Sequence, residues 1–260
     1  MSMQSPTQAN IARWPSLMAA IATLVALATP TGLAAAADKI VLAPFTVPSA
    51  ESTPGAWRVV GVPGGKIPLT SFAMTELDGQ RVLRVEATKS YGNLVHNLPL
   101  STPGPGTRLS WRWRLDEGLP LADLSVKQGD DSPLKVCALF ELPLDKLGLI
   151  ERNLLRLARA ASAEKLPSAT LCYVWDSKLK ADTLLPNAYT NRVRLIVVSG
   201  SDQPLRQWAS HSRDLEADFR RAFGAESESL LPLLAILVGG DADNTGGHSL
   251  GYVNELRLDN

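Results

Sequence analysis

Short segments of alternating apolar and polar residues, separated by turns rich in glycine and proline, make up most of residues 40–258. The segment Leu109–Leu115 (LSWRWRL) is the clearest example, because its leucines and tryptophans occupy every second position. A period of two places these side chains on one face of a β-strand. Segments of this kind with turns about every 8–12 residues are typical of all-β sandwiches and barrels. The sequence therefore predicts a mainly β chain of roughly ten short strands.

Most of the predicted strands follow this pattern, and Asp78-Gly79 between two of them indicates a hairpin turn. Leu233–Val238 (LLAILV) is apolar on both faces, which indicates a central strand covered on both sides. The segments predicted as strands are Ile40–Phe45, Trp57–Val60, Thr70–Leu77, Val82–Ala87, Tyr91–Leu100, Leu109–Leu115, Lys135–Leu142, Leu171–Trp175, Val193–Val198, Leu233–Val238 and Tyr252–Leu258.

Two segments have helical spacing instead. Asp145–Ala163 carries an apolar stripe of leucine, isoleucine and alanine, and its arginines lie off that stripe. Ser212–Phe223 is a shorter predicted helix, with Ser212 as its N-cap and Gly224 at its end. Helices do not alternate with strands, which disfavours a doubly wound α/β fold. We therefore expect a two-sheet β-sandwich or jelly roll, of the galactose-binding-like kind, with two inserted helices that cover an end or a face of a sheet.

The first 37 residues have the features of a secretory signal peptide. The apolar segment Met18–Ala28 is about 11 residues long, whereas a membrane span needs roughly 20. Small residues at Ala35–Ala37 predict cleavage before Asp38, and the alternative is an uncleaved membrane anchor. Cleavage would leave residues 38–260 as a single β-sandwich domain, periplasmic or secreted, with no stable membrane anchor.

The charge balance and the cysteine count limit the partners and the compartment. Lys+Arg and Asp+Glu both number 26, so there is no basic excess of the kind that nucleic-acid binding requires. The two cysteines, Cys137 and Cys172, lie in predicted strands, and export would permit a disulfide between them. Such a bond would stabilise the fold by about 3–4 kcal/mol if the strands are neighbours, and the alternative is two buried thiols.

Two aromatic strands are candidate ligand surfaces. Trp111 and Trp113 share one face of their strand, and Arg112 and Arg114 share the other. Outward-facing tryptophans would stack on sugar rings, but the leucines on the same face favour core packing, which leaves the arginines to face solvent or pair with acids.

Tyr173 and Trp175 form a second aromatic pair on one strand face, and Asn187, Tyr189 and Arg192 follow in the sequence. The pair either lines a cleft or packs in the core.

Two acidic segments are candidate polar or metal sites. Asp130 and Asp131 are adjacent, and they would shape a turn, pair with arginine or bind calcium. Asp241, Asp243 and Asn244 offer oxygen ligands ahead of a glycine, as in half of a calcium loop. The complete EF-hand pattern is not met, and Asp and Asn are also common in loops because they bond to nearby backbone groups. A structural calcium ion is the single cofactor expectation.

Sequence motifs of several catalytic classes are absent: there is no H-E-x-x-H helix, P-loop or C-x-x-C pair, and the three histidines lie in unrelated segments. No catalytic residue is assigned.

Six segments occur along the chain in this order: LSWRWRL, GDDSPLKVCALF, LCYVWDS, NAYTNRVRLIVVSG, RDLEADFRRAFG and DADNTGG. Their order resembles the domain of unknown function 3047 family, a group of exported proteins from Gram-negative bacteria. The resemblance spans about residues 40–258 and implies export and a β-sandwich but no activity. Asp145–Ala163 is longer than the family pattern.

Three functions remain open on this basis. The first is a non-catalytic binding module for a carbohydrate or cell-envelope glycan, which suits an exported sandwich with six tryptophans. The second is a hydrolase or lyase acting on a polysaccharide, which needs paired carboxylates across a cleft. The third is a structural or protein-interaction module of the envelope. The sequence leaves the oligomeric state open, and the candidate ligand-binding residues are Arg112, Arg114, Asp130, Asp131, Tyr173, Trp175 and Arg192.

Overall fold

A computed structural model describes residues 40–48, 55–62, 64–161, 166–227 and 229–259, so the predicted signal peptide lies outside the described residues. Two β-sheets and two α-helices account for most of the described chain. The strands are β1 Trp57–Val60, β2 Ser71–Leu77, β3 Gln80–Thr88, β4 Tyr91–Ser101, β5 Arg108–Glu117, β6 Lys135–Phe140, β7 Ala169–Trp175, β8 Leu184–Pro186, β9 Val193–Ser199, β10 Ala209–Asp214, β11 Leu233–Asp241 and β12 His248–Asp259. The helices are α1 Leu149–Ala161 and α2 Leu215–Phe223.

The two sheets pack face to face around one hydrophobic core. The seven-stranded sheet has the order β1-β4-β11-β6-β7-β9-β8, and the five-stranded sheet has the order β10-β5-β12-β3-β2. All neighbours are antiparallel except β7 and β9, which run parallel. Alternate residues of both sheets point into the shared core, as the period of two requires. The predicted mainly β, two-sheet sandwich with two α-helices is therefore confirmed.

An aromatic layer joins the sheets at the centre of this core. Trp111 and Trp113 of β5 are fully buried, so they pack inward as the leucines on their face indicate. The Trp111 ring lies 5.2 Å from the ring of Tyr173, and the Trp113 ring lies 5.9 Å from that of Trp175. Trp113 Nε1 also donates a hydrogen bond of 2.9 Å to Ser199 Oγ. A buried indole N–H group usually has such a partner, although Trp111 Nε1 has none among the described residues.

Three local predictions differ from the structure. Residues 40–45 do not form a strand, although Ile40 is buried and Trp57 Nε1 donates to the carbonyl of Ala43. The sequence does not predict strands β8 and β10, because β8 has three residues and β10 is polar after Ala209. Ser212 therefore lies in β10, and Asp214 caps α2 by accepting a hydrogen bond from the backbone N–H of Ala217.

Helix α1 presents its apolar stripe to solvent, whereas the sequence predicted a helix that covers an end or a face of a sheet. Arg152 donates to the carbonyls of Asp145 and Leu147, and Arg159 pairs with Glu141, so the arginine side faces the domain. The exposed apolar side chains are Leu149, Ile150, Leu154 and Leu157. No helix among the described residues is both long and apolar enough to cross a membrane.

The seven-stranded sheet is apolar on its outer face as well as on the inner face that packs in the core. Cys137 of β6 and Cys172 of β7 are directly opposite each other on the outer face, and they form a disulfide. Leu234, Ala235 and Leu237 of β11 are buried beside them. An antiparallel sheet commonly has one solvated, polar face, so a sheet that is apolar on both faces needs a cover or a ligand.

Candidate ligand-binding groove

A groove crosses the outer face of the seven-stranded sheet. It consists of two cavities of about 620 and 710 Å³ that share part of their lining and so form one continuous depression. The shared lining is Val62, Tyr91, Asn93, Leu139, Leu166, Pro167 and Leu237. The "polar end" is defined by Asp130, Lys135, Asn187, Tyr189, Asp241, Asp243 and Asn244. The "apolar end" is defined by Val60, Val95, Leu98, Leu100, Leu234 and Ala235.

Strand pairing explains why distant segments meet at the polar end. The antiparallel register pairs Gly239 of β11 with Lys135 of β6, so the end of β11 lies beside the start of β6. Asp241 ends β11 and Asp130 precedes β6, and the two acidic segments therefore converge. A Cβ on Gly239 would lie 2.3 Å from Asn93 Oδ1 and 2.9 Å from Lys135 Cε. Only glycine leaves room for those two side chains to cross the strand.

A buried ion pair forms the base of the polar end. Lys135 Nζ lies 2.9 Å from Asp241 Oδ1, and the two side chains are only 12% and 9% exposed. Burial raises the pKa of Asp241 to about 6, and the nearby Asp131 and Asp130 add to this effect against the attraction of Lys135. Burial lowers the pKa of Lys135, but the attraction and hydrogen bond of Asp241, together with Tyr91 and Asp130, outweigh burial, so the pKa is raised and the lysine is protonated.

The Asp131 carboxylate anchors the loop that follows β11. It accepts hydrogen bonds of 3.0 and 2.7 Å from the backbone N–H groups of Asn244 and Thr245, and one of 2.5 Å from Thr245 Oγ1. Asp130 accepts a hydrogen bond of 2.6 Å from Asn187 Nδ2. Burial is the main cause that raises the pKa of Asp130 and also that of Asp243. Asp243 is the half-buried acid of the cluster and faces the cavity.

The predicted calcium ligands are only partly brought together. Oxygen atoms of Asp131, Asp241 and Asp243 lie within 4.8 Å of one another. Asn244 points elsewhere, because its Oδ1 accepts from the hydroxyl of Tyr189 and its Nδ2 donates to the carbonyl of Asp130. The Lys135 ammonium already supplies a positive charge at Asp241. The set of Asp241, Asp243 and Asn244 is thus not assembled as a ligand cage, and Asn244 instead fixes the loop.

The two arginines of β5 lie outside the groove, on the outer face of the five-stranded sheet. Arg112 pairs with Glu255 at 3.0 Å. Arg114 pairs with Asp116 at 2.7 Å and with Asp78 at 3.1 Å. Local acids therefore neutralise both arginines, and neither reaches the acidic segments with which the sequence suggested a pairing.

The other aromatic and basic candidates are also placed away from the cavity. Tyr173 and Trp175 are fully buried on the inner face of β7, and the Tyr173 hydroxyl donates to Asp218. They are core residues, because successive side chains of a strand alternate between faces. Arg192 pairs with Glu226 at 2.5 Å and does not line the groove.

The polar groove residues that the sequence did not predict include Tyr91, Asn93 and Lys135. The position of Lys135 at the start of the apolar segment KVCALF could have indicated a polar site, because a charge beside a buried strand needs a partner. Asn93 is 7% exposed, and its Oδ1 has no hydrogen-bond partner among the described residues. Asn187 and Tyr189 do line the cavity, and Tyr189 is 57% exposed.

Two serines have spacings or neighbours that suggest acyl-transfer chemistry, but both are inaccessible. Gly247–Gly251 (GHSLG) has the G-x-S-x-G spacing, yet Ser249 is 0% exposed and lies within β12 rather than at a strand-to-helix turn. Ser199 Oγ is 3.2 Å from His211 Nε2, but Ser199 is buried between the sheets. Neither serine is accessible to a substrate.

Comparisons with known proteins give distant likenesses. No curated protein matches the chain. A family 11 carbohydrate-binding module from Clostridium thermocellum, in complex with a β-1,3-1,4-mixed-linked tetrasaccharide, has 11% identity and a TM-score of 0.38 over 86% of this chain and 96% of that one. The catalytic domain of Humicola grisea Cel12A has 11% identity and a TM-score of 0.39 over 80% and 94%. TM-scores this low support no inference about ligand or activity.

The match to a protein family covers most of the chain. Residues 55–257 match the family described as protein of unknown function (DUF3047). The match includes every strand from β1 to β11, most of β12, both helices and both acidic segments. The chain therefore belongs to the DUF3047 family.

Proposed function

We propose that this protein is an exported, non-catalytic binding module for a glycan, and that the glycan binds in the groove of the seven-stranded sheet. The observation that carries the proposal is the polar end, where carboxylates, amides, an ammonium group and tyrosines from distant segments face one concavity. A concave site with a few convergent polar groups is the usual form of a small-ligand site.

The chemistry of the polar end suits sugar hydroxyl groups, which both donate and accept hydrogen bonds. Asp130 and Asp243 offer acceptor oxygens at the cavity wall. Asn93 lines the cavity as well, and its Oδ1 is a buried acceptor without a partner among the described residues. The exposed ring of Tyr189 offers an apolar face on which a sugar ring can stack.

The hydrogen bonding of the acids favours binding over hydrolysis. Glycosidases place two carboxyl groups on either side of the scissile bond. Here Asp131 holds a loop, Asp130 is held by Asn187, and Asp241 is paired with Lys135. These acids have structural partners, and three of the cluster lie together within 4.8 Å rather than facing each other across the groove.

The charge of the polar end supports a preference among glycans. The polar end has more acidic than basic groups. Its cavity is lined by one ammonium group, that of Lys135, and by three carboxyl groups, with a fourth, that of Asp131, directly behind them; the three that line the cavity are Asp130, Asp241 and Asp243. Anionic sugars such as uronic acids would be repelled, whereas neutral or amino sugars would not.

Calorimetry against hits from a glycan array tests the proposal. We expect Tyr189→Ala and Asp243→Asn each to weaken binding about tenfold, because each removes an interaction of about 1–2 kcal/mol. Tyr252→Ala is the matched control, since Tyr252 lies on the outer face of the five-stranded sheet. Binding of no glycan, or equal loss in all three variants, would contradict the proposal.

Export is part of the same proposal and has its own test. We expect the mature protein in a Gram-negative host to be periplasmic or secreted and to begin at Asp38, because the leader ends in small residues. A cytoplasmic protein that retains Met1 would refute this part.

A further inference from the structure

The apolar end of the groove is lined by aliphatic side chains. Val95, Leu234, Ala235 and Leu237 form its floor and are each less than 9% exposed. Leu100 lies at its rim and is 53% exposed. The cavity of about 710 Å³ at this end is larger than the one at the polar end. A glycan at the polar end alone would leave this cavity unfilled.

The lining of the apolar end suits an alkyl chain better than a sugar ring. Sugar rings stack on aromatic faces, and the aromatic side chain that lines this cavity is Tyr91, at the junction with the polar end. The polar pair Arg58 and Asn97 is already joined by a hydrogen bond of 3.3 Å.

The floor also disfavours a peptide as the occupant. A bound peptide brings backbone N–H and C=O groups that need partners. The strands β4, β11 and β6 beneath the groove each have a neighbour on both sides, so their backbone groups are already paired within the sheet. A hydrocarbon chain has no such requirement.

The two ends of the groove are continuous, so one ligand with a polar part and an apolar part could occupy both ends. Asn93 and Tyr91 line both cavities and mark the junction. The acids and Lys135 lie to one side of that junction, where Leu124 and Leu195 also line the wall. The residues that line the other side are mainly aliphatic and include no acid. We propose that the groove binds a glycolipid, with an uncharged or cationic sugar head group at the polar end and an alkyl chain along the apolar end. This inference rests on the proposed function for its head group.

A chain-length series tests the inference directly. The probes are methyl, hexyl, heptyl and octyl β-glucosides, each titrated below its critical micelle concentration into the full mature protein. Each added methylene should lower the dissociation constant about fourfold, equivalent to about 0.8 kcal/mol, until the apolar end is filled. Equal affinity for the methyl and octyl glucosides would overturn the inference.

Variants of the apolar end separate this effect from general surface hydrophobicity. Ala235→Phe fills the cavity and should abolish the dependence on chain length. Leu100→Lys changes an exposed rim residue, so it should fold, and it should weaken octyl glucoside at least tenfold. Leu205→Lys is the matched control, since Leu205 is 48% exposed and lies outside the groove. An unchanged chain-length dependence in both groove variants would refute the assignment.

The outcomes distinguish failure of this inference from failure of the proposed function. Binding of sugars that is independent of chain length, and weakened by Tyr189→Ala, would refute the glycolipid and leave the glycan function in place. Octanol that binds as tightly as octyl glucoside, with no effect of Tyr189→Ala, would support the alkyl site and refute the glycan head group. Absence of binding by every probe would refute both.

Discussion

Loss of the Cys137–Cys172 disulfide should lower the free energy of unfolding by roughly 4 kcal/mol. The bond closes a sequence interval of 35 residues, and in the chain-entropy model the stabilisation grows with the logarithm of that interval. Both half-cystines are almost completely buried between paired strands, so the native sheet should persist without the bond. The effect is therefore expected mainly in the unfolded ensemble, which becomes less restricted.

Urea unfolding followed by tryptophan fluorescence measures this effect, because Trp111 and Trp113 are buried in the core. The oxidised protein, the reduced protein and the Cys137→Ala/Cys172→Ala double variant are compared. The reduced protein and the double variant should share a lower midpoint and a steeper dependence on urea, since a chain without the cross-link exposes more surface when it unfolds.

The single variants provide the decisive control. Each one already removes the whole bond, so the double variant should cost far less than the sum of the two singles. Additive losses, or equal midpoints for the oxidised and reduced proteins, would show that the bond does not stabilise the fold in this way.

Two further perturbations test the loop anchor and a buried histidine. Asp131→Ala should lower the free energy of unfolding by about 3 kcal/mol, because it leaves the backbone donors of Asn244 and Thr245 without their charged acceptor. Thermal unfolding measures this loss, and amide hydrogen exchange measures the protection of the two donors. Unchanged protection of these two amides would contradict the anchoring role. Burial, with a smaller contribution from Arg213, lowers the pKa of His211 from 6.5 to about 4. The unfolded chain therefore binds the extra proton in this window, and wild-type stability should fall by roughly 3 kcal/mol relative to His211→Gln as the pH drops from 6.5 to 4. Parallel urea midpoints for both proteins across that range would disprove it.

Alternation of residue types was sufficient to predict most of the strands. Leu109–Leu115 alternates between core and surface, and its tryptophans are buried as their face indicates. The polar strand β10 carries no such signal, because it pairs with β5 at the border of the sheet and gains little from apolar side chains. Helix α1 has a clear apolar stripe, but arginine contacts determine which side faces the domain.

The candidate site was harder to predict because it depends on which strands are neighbours. Both acidic segments were recognised, but their convergence follows from the pairing of β11 with β6, which local patterns do not encode. The sequence also did not show which acids pair with the arginines of β5. Arg114 pairs with Asp116, two positions along its own strand, rather than with an acid from a distant segment. Apolar residues on both faces of β11 indicated a central strand that is covered on both sides. The strand is central and all nine of its residues are buried, with the groove lying over its outer face.

The positions of β11 and β12 have a consequence for biosynthesis. Before these two strands emerge from the ribosome, the earlier strands can form only four separate pieces: β1 with β4, β6 with β7, β9 and β8, β2 with β3, and β5 with β10. Strand β11 then joins the first two pieces and β12 joins the last two. The two sheets cannot be completed until β11 and β12 have been translated, so the nascent chain stays open, and exposed to chaperones, until that point.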